Sequence, residues 1–236
     1  FMFIGKPCDV AALRKAQEND AELQRKVGLA VSIFCAGTPT TLGTEKVLER
    51  MGVKDAAQVS EFRYRGRGWP GRASARLKDG TDARTLSYEQ AWGEVLSKHG
   101  QLRCRLCPDS TGEFADISCG DPWYREVKAD DPGRSLMVIR TESGQQFWTG
   151  AMKQDAVTVQ PAQAWMLPKS QLSVHERRMR VFGRIKAMRA FGIPVPEYVG
   201  FSLKENWRLL PFIAGIRVYA GTIKRIVLRR WRSPDI

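Results

Sequence analysis

Histidine is almost absent from this chain: His99 and His175 are the only two in 236 residues. Both fall in charged, helix-like stretches and read as surface residues, which argues against a histidine-based hydrolase or a histidine-rich metal site. No stretch approaches the ~18 uninterrupted apolar residues of a membrane-spanning helix. The opening Phe1–Pro7 segment has none of the charged, apolar and small-residue sections of an export signal. There is no internal repeat. Cysteine is sparse and odd in number, at five, which disfavours a secreted disulfide framework. The reducing cytoplasm is the better compartment, and there clustered thiols bind metal or carry redox chemistry. An initiator Met is missing too, and the chain enters at once on the apolar run Phe1-Met2-Phe3-Ile4. The expectation is a strand caught mid-sheet, completed by a missing N-terminal domain or a partner subunit.

What is present is the composition of an ordinary globular protein, 43% hydrophobic and 27% charged, with room for one sizeable core. The net charge of +13 is unevenly spread. Residues 169–236 hold fifteen Lys and Arg against four acids, while residues 1–168 hold 23 against 21. Basic character confined to one end, without the glycine and aromatic spacing of a known module, excludes nucleic acid as the expected partner. Two parts are expected: a domain over 1–168 and a basic helical C-terminal extension over 169–236. In the extension, Trp207 to Trp231 interleaves apolar residues with Arg217, Lys224, Arg225, Arg229 and Arg230. That suits a helix lying on an anionic membrane surface. It suits equally a helix packed on a partner subunit or on the missing domain.

Phe1 to Gly5 reads as a buried strand, followed by a Lys6-Pro7-Cys8 turn and a helix capped by Asp9. Gly28 to Cys35 is a second apolar strand, and Thr44 caps a helix carrying Val47, Leu48 and Met51. Strand–turn–helix, repeated, predicts an α/β fold with a parallel or mixed sheet. Val59–Tyr64, Phe114–Cys119 and Ser135–Thr141 read as further strands, Tyr88–His99 as a helix and Glu142-Ser143-Gly144 as a turn. A long basic helix is expected over Ser170–Phe191, and a last one over Asn206–Arg232, interrupted near Pro211.

In an open sheet of this kind ligands gather beyond the carboxyl ends of the strands, where Cys8 and Cys35 both fall. Cys104-Arg105-Leu106-Cys107-Pro108 is a C-x-x-C followed by Pro, a spacing that aims two sulfurs at one metal and is familiar from ferredoxin-type loops. A zinc ribbon would need a second such pair, which is absent. A thioredoxin-like pair would need the motif to open a helix, and Pro108-Asp109-Ser110 does not read that way. A C-x-x-C wanting two partners raises Cys8 and Cys35 from buried hydrophobes to ligand candidates, giving the set Cys8, Cys35, Cys104 and Cys107. Cys119 is the spare, read as packing. Arg63, Arg65 and Arg67, set among three glycines, suit a pyrophosphate or a flavin's anionic edge, or form a solvated turn. Asp116 and Asp121 suit a ribityl chain or ring nitrogen, or act as turn caps.

Five segments in order, IGKPCDVAALR (4–14), SIFCAGTP (32–39), EFRYRGRGWPG (61–71), RCRLCPDSTGEFADISCGD (103–121) and SLMVIRTESG (135–144), together resemble the beta subunits of coenzyme F420-dependent hydrogenases and dehydrogenases and their bacterial relatives. The resemblance implies an iron–sulfur flavoprotein oxidoreductase. Such subunits carry a 4Fe–4S cluster and FAD and pass electrons between the cluster and a hydride carrier, the deazaflavin coenzyme F420 in archaeal members. By position it implies Cys8, Cys35, Cys104 and Cys107 as cluster ligands. Lys6, Arg63, Arg65, Arg67, Asp116 and Asp121 would form the flavin neighbourhood. Two departures stand out. Family members have an N-terminal half that precedes this chain's first strand and contributes to the flavin site. The basic C-terminal region looks more like bacterial relatives found with polysaccharide-synthesis enzymes. The alternative is a zinc- or cluster-stapled, non-catalytic accessory protein of polysaccharide biosynthesis. Either reading expects a cytoplasmic protein, or one peripheral at the inner membrane.

Overall fold

The computed structural model describes residues 1–128 and 131–228, the side chains of 172–175 excepted. In chain order the elements are β1 (Met2–Gly5), α1 (Pro7–Gln17), α2 (Ala21–Lys26), β2 (Leu29–Ile33), α3 (Thr41–Arg50), β3 (Val59–Arg63), β4 (Ser74–Leu77), α4 (Leu102–Arg105), β5 (Ile117–Gly120) and β6 (Leu136–Ile139). Five helices follow: α5 (Glu142–Lys153), α6 (Met166–Ser170), α7 (Leu172–Ala190), α8 (Leu203–Arg208) and α9 (Phe212–Val227). They form two compact units. The first comprises Phe1–Ala36, Arg105–Tyr124 and the chain from Ser135 onward; the second comprises Gly37–Cys104 and Arg125–Arg134.

The first unit is built on a mixed sheet in the order β1-β2-β5-β6. β1, β2 and β5 are parallel, and β6 returns antiparallel along β5. The apolar, β-branched run of Leu29–Ile33 suits the inner position it takes. α1 starts where it does because Pro7 fits the first helical turn and Lys6 and Asp9 close a reciprocal cap. Its Val10 and Leu13 then reach a core with Val27, Ala30 and Ala115. Burying Val10 completely contributes about 1.5–3 kcal/mol.

The C-terminal helices belong to this unit, so the compact units do not divide at 168/169 as the sequence suggested. Arg178 and Arg184 of α7 donate to the Pro108 and Arg105 carbonyls, and Phe201 meets Phe114 edge to face at 5.8 Å. Among themselves the helices pack closely: Trp207 of α8 presses on Gly183 of α7 and Gly215 of α9, where an added Cβ would stand 2.3 and 3.2 Å from the indole. The expected turn at Glu142-Ser143-Gly144 is instead the first turn of α5, capped by the Thr141 hydroxyl accepting from Gly144 N–H. Gly144 is needed there because a Cβ would come within 2.5 Å of the Asp116 carbonyl. The last predicted helix breaks at Pro211, as expected, into α8 and α9. Its Arg229–Arg232 end lies outside the described residues.

The second unit packs α3 and the β3–β4 hairpin around Val47, Leu48, Met51, Ala73, Ala75 and Leu96. The helix expected over Tyr88–His99 is two short pieces, a π turn at Glu89–Gly93 and a 3-10 turn at Leu96–His99. His99 is half-buried and not a surface residue, since Gly43 of α3 lets it approach and its carbonyl accepts from Thr40 N–H at 2.8 Å. The side chain of His175 lies outside the described set.

Candidate functional site

Parallel pairing of β1, β2 and β5 sends their carboxyl ends to one edge of the sheet. Cys8 lies in the first turn of α1, three residues past β1, and Cys35 two residues past β2. The segment Cys107–Ser110 comes alongside, its Ser110 carbonyl accepting from Cys35 N–H at 2.9 Å. Burial pushes the Cys107 thiol up to about 12; Asp109, Cys8 and Cys35 are near enough to add to it, and a backbone hydrogen bond at Asp109 acts the other way.

The Cys107 loop is held in one shape. The Asp109 carboxylate accepts from the amides of Thr111, Gly112 and Glu113 at 2.8–3.1 Å. Burial raises its carboxyl above the ordinary range, against these donors. Gly112, at φ +72, lies so close to Ser32 that a Cβ would stand 2.4 Å from that side chain. Arg140 ties Ser118 to Thr111. From the other side α7 supplies guanidinium groups. Arg178 donates to the Pro108 carbonyl at 3.0 Å and pairs with Glu113, Arg177 donates to the Ala36 carbonyl, and Arg184 to the Arg105 carbonyl. Each of these carbonyls lies next to a candidate ligand in sequence. Burial, with Arg105, Arg180, Arg225 and Arg177 nearby, pulls Arg184 down to about 10. Tyr198, which gave no signal in the sequence, lies near enough to Cys107 and Cys8 for their charges to raise its phenol beyond what burial does.

Among the described residues no three His, Cys, Asp or Glu side chains converge tightly enough to chelate a single ion. An iron–sulfur cube asks for something else, because each thiolate binds a different iron and the sulfurs stand further apart. Thiols on braced elements, a backbone amide aimed at sulfur and nearby guanidinium groups fit that demand. Cys104, the last residue of its segment in the second unit, shows one such amide: Thr38 N–H donates to its Sγ at 3.3 Å.

The other predicted residues part company. Lys6 is engaged with Asp9, Nζ to Oδ2 at 2.6 Å. Asp116 is engaged within the scaffold. Its carboxylate accepts from Ala30 N–H at 2.7 Å, Arg14 at 3.0 Å and the Thr141 hydroxyl at 2.8 Å, bracing α1, β2 and the start of α5. Asp121 follows the end of β5 at the same sheet edge as Cys8 and Cys35. In the second unit Arg63 and Arg67 line a pocket of about 140 Å³ with Arg76, Glu61 and Asp82. Arg63 pairs with Glu61 and Arg76 with Asp82, while Arg67 makes no hydrogen bond or ion pair among the described residues. Arg65 turns away, donating to the Pro70 carbonyl at 2.7 Å and lying over the Tyr88 ring.

Residues 1–164 match the family model for the C-terminal part of the beta subunit in coenzyme F420 hydrogenase/dehydrogenase. The chain belongs to this family. Its curated relatives include the beta subunit of coenzyme F420 hydrogenase from Methanothermobacter thermautotrophicus, 25% identical over 58% of this chain and 48% of the relative. Another is the coenzyme F420-dependent sulfite reductase of Methanocaldococcus jannaschii, 23% identical over 66% of this chain and 24% of the relative. The chain thus spans about half of one relative and a quarter of the other. A chain of the F420-reducing [NiFe] hydrogenase complex of Methanosarcina barkeri, solved after xenon derivatization, shares the fold at TM-score 0.53 and 20% identity, over 83% of this chain and 64% of that one. The family match takes in every cysteine and every predicted flavin residue. It ends before α7, so the arginines that brace the cysteine loops lie beyond it.

Proposed function

We propose that this member of the coenzyme F420 hydrogenase/dehydrogenase beta-subunit family is an iron–sulfur flavin oxidoreductase. Cys8, Cys35, Cys104 and Cys107 would hold a 4Fe–4S cluster, and FAD would lie within electron-transfer reach. The observation that carries the reading is the gathering of Cys8, Cys35 and Cys107 at one sheet edge on braced loops. The fourth ligand rests on the C-x-x-C spacing and on the amide aimed at Cys104. When bound, the pair of cofactors converts two-electron hydride chemistry into single-electron steps.

The chain's own residues supply position and charge. The α7 arginines fix the carbonyls beside the ligands and set positive charge against an anionic centre, which favours the reduced form. The Asp109 turn keeps the loop closed, Tyr198 lies near Cys107 and Cys8, and Asp121 follows β5 at the same sheet edge. In the second unit Arg67 holds φ +58, a conformation costing a non-glycine residue about 1–2 kcal/mol, and presents a guanidinium with no hydrogen-bonding partner among the described residues. An arginine so placed in a strained Gly-rich turn suits the pyrophosphate or anionic edge of a flavin. Coenzyme F420 is the hydride carrier the relatives' names support, with further subunits or domains completing the electron path.

The ligand assignment is tested by Cys104→Ser and Cys107→Ser, purified and reconstituted without oxygen. Each is expected to lose the brown visible absorption of the wild type. A band unchanged in both would overturn the ligand set, and bound zinc without sulfide in the wild type would identify a structural staple instead.

A further inference from the structure

The C-terminal helices carry a surface that the fold does not use. Along α9, Gly215, Thr222 and Ile226 are buried on the side that packs against α7 and Trp207. A second stripe, Ile213, Ile216, Ala220, Ile223 and Val227, recurs every three or four residues, about a third of a turn round the helix. Apart from half-buried Ile223, this one faces outward. Phe212 is 81% exposed, Ile213 63%, Ile216 52% and Val227 58%, and Leu209 in the preceding turn is 67% exposed. So many large apolar side chains exposed along one stripe mark an interaction surface, not scattered surface residues.

What the stripe would meet follows from its border. Arg217 and Lys224 are exposed along its far side, and α9 contains no acid. Over residues 203–228 five bases stand against Glu205 alone. A second copy of the chain would bring like charges together across the same face. Residues 1–168 are close to neutral and offer no acidic surplus to complement it. A sheet of anionic lipid satisfies both halves of the surface at once, apolar residues below and cations at the phosphates. Spanning is not the geometry, since α9 is 16 residues long with three cations, and among the described residues no helix is long and apolar enough to cross a membrane. The stripe is also fixed in orientation, because Trp207 sits against glycines of both α7 and α9.

We infer that α9, with the turn before it, docks this protein peripherally onto an anionic membrane surface, the Phe212–Val227 stripe entering the headgroup boundary and Arg217 and Lys224 meeting phosphates. The inference does not depend on the cluster or the flavin.

Flotation of the intact chain with phosphatidylcholine vesicles, with and without phosphatidylglycerol, tests it. The chain floats with the anionic vesicles at low salt and releases as salt rises. Arg217→Gln with Lys224→Gln lowers the bound fraction by roughly tenfold or more, at about 1 kcal/mol per cation. Ile216→Asp, at an exposed position, lowers it comparably while the circular dichroism stays that of the wild type. No flotation with either vesicle, equal flotation with both, or binding untouched by these folded variants overturns the proposal. Concentration-dependent dimerisation in place of flotation assigns the stripe to a protein contact instead.

Discussion

Asp116 shows what a side chain's surroundings add to its reading in the sequence. In sequence it is a carboxylate beside the Ser118-Cys119-Gly120 turn, suited to a ribityl chain or ring nitrogen, or to capping the turn. In the fold it is buried and takes a guanidinium, a backbone amide and a hydroxyl. Removing one partner of such a buried set leaves the others unpaired, so Asp116→Ala should cost about 3–5 kcal/mol, read from the urea midpoint. An unchanged midpoint would show the brace to be dispensable. Asp9 makes a gentler, pH-dependent contribution. Partial burial pushes its carboxyl up, but the hydrogen bonds and charge of Lys6 outweigh this and hold it below the usual 3.8. Its stabilisation is therefore present above the unfolded value and lost as pH falls through the folded one. Lys6→Ala should be less stable than wild type near neutrality, the gap closing in acid; a gap of constant size would contradict the linkage.

At the scale of elements, the strands before Cys8 and Cys35 were legible as apolar runs, though β1 is an edge strand with Met2 and Ile4 exposed, not a buried one, and Cys8 lies in α1 and not in a turn. Parallel pairing then put both on one edge. The Cys107 loop was legible as a motif but not as a shape, because its brace comes from residues far away in sequence. Arg140, just past β6, and Arg177 and Arg178 of α7 look like surface charge until those elements come together. Tyr198 had no signal at all. Gly183 belongs to the same class: inside a helix it reads as a weak point that Ala would improve by up to ~1 kcal/mol. Against Trp207 at 2.3 Å the sign reverses, and Gly183→Ala should lower the thermal midpoint. Trp207→Ala in the Gly183→Ala background should cost less than Trp207→Ala alone, a coupling that a double-mutant cycle measures. Additive effects would mean the two do not touch.

For the whole molecule, composition alone separated a near-neutral part from a basic one, and that contrast holds as chemistry though not as a boundary between compact units. The helices from α7 onward fall in the same compact unit as the sheet that carries Cys8 and Cys35, and they bring guanidinium groups to the loops. The second unit presents Arg63 and Arg67 in a pocket. If these meet a flavin phosphate, Arg67→Gln in the full-length protein should weaken FAD binding about tenfold to a hundredfold by fluorescence quenching, as a lost charge-assisted hydrogen bond would. Unaltered affinity would send the flavin elsewhere.

If the strand-edge cysteines hold a redox cluster, iron and acid-labile sulfide analysis of the anaerobically purified wild-type chain should give ~4 iron and ~4 sulfide per chain, with an electron paramagnetic resonance signal on reduction. A colourless protein holding zinc, or no metal and no sulfide after reconstitution, would contradict it.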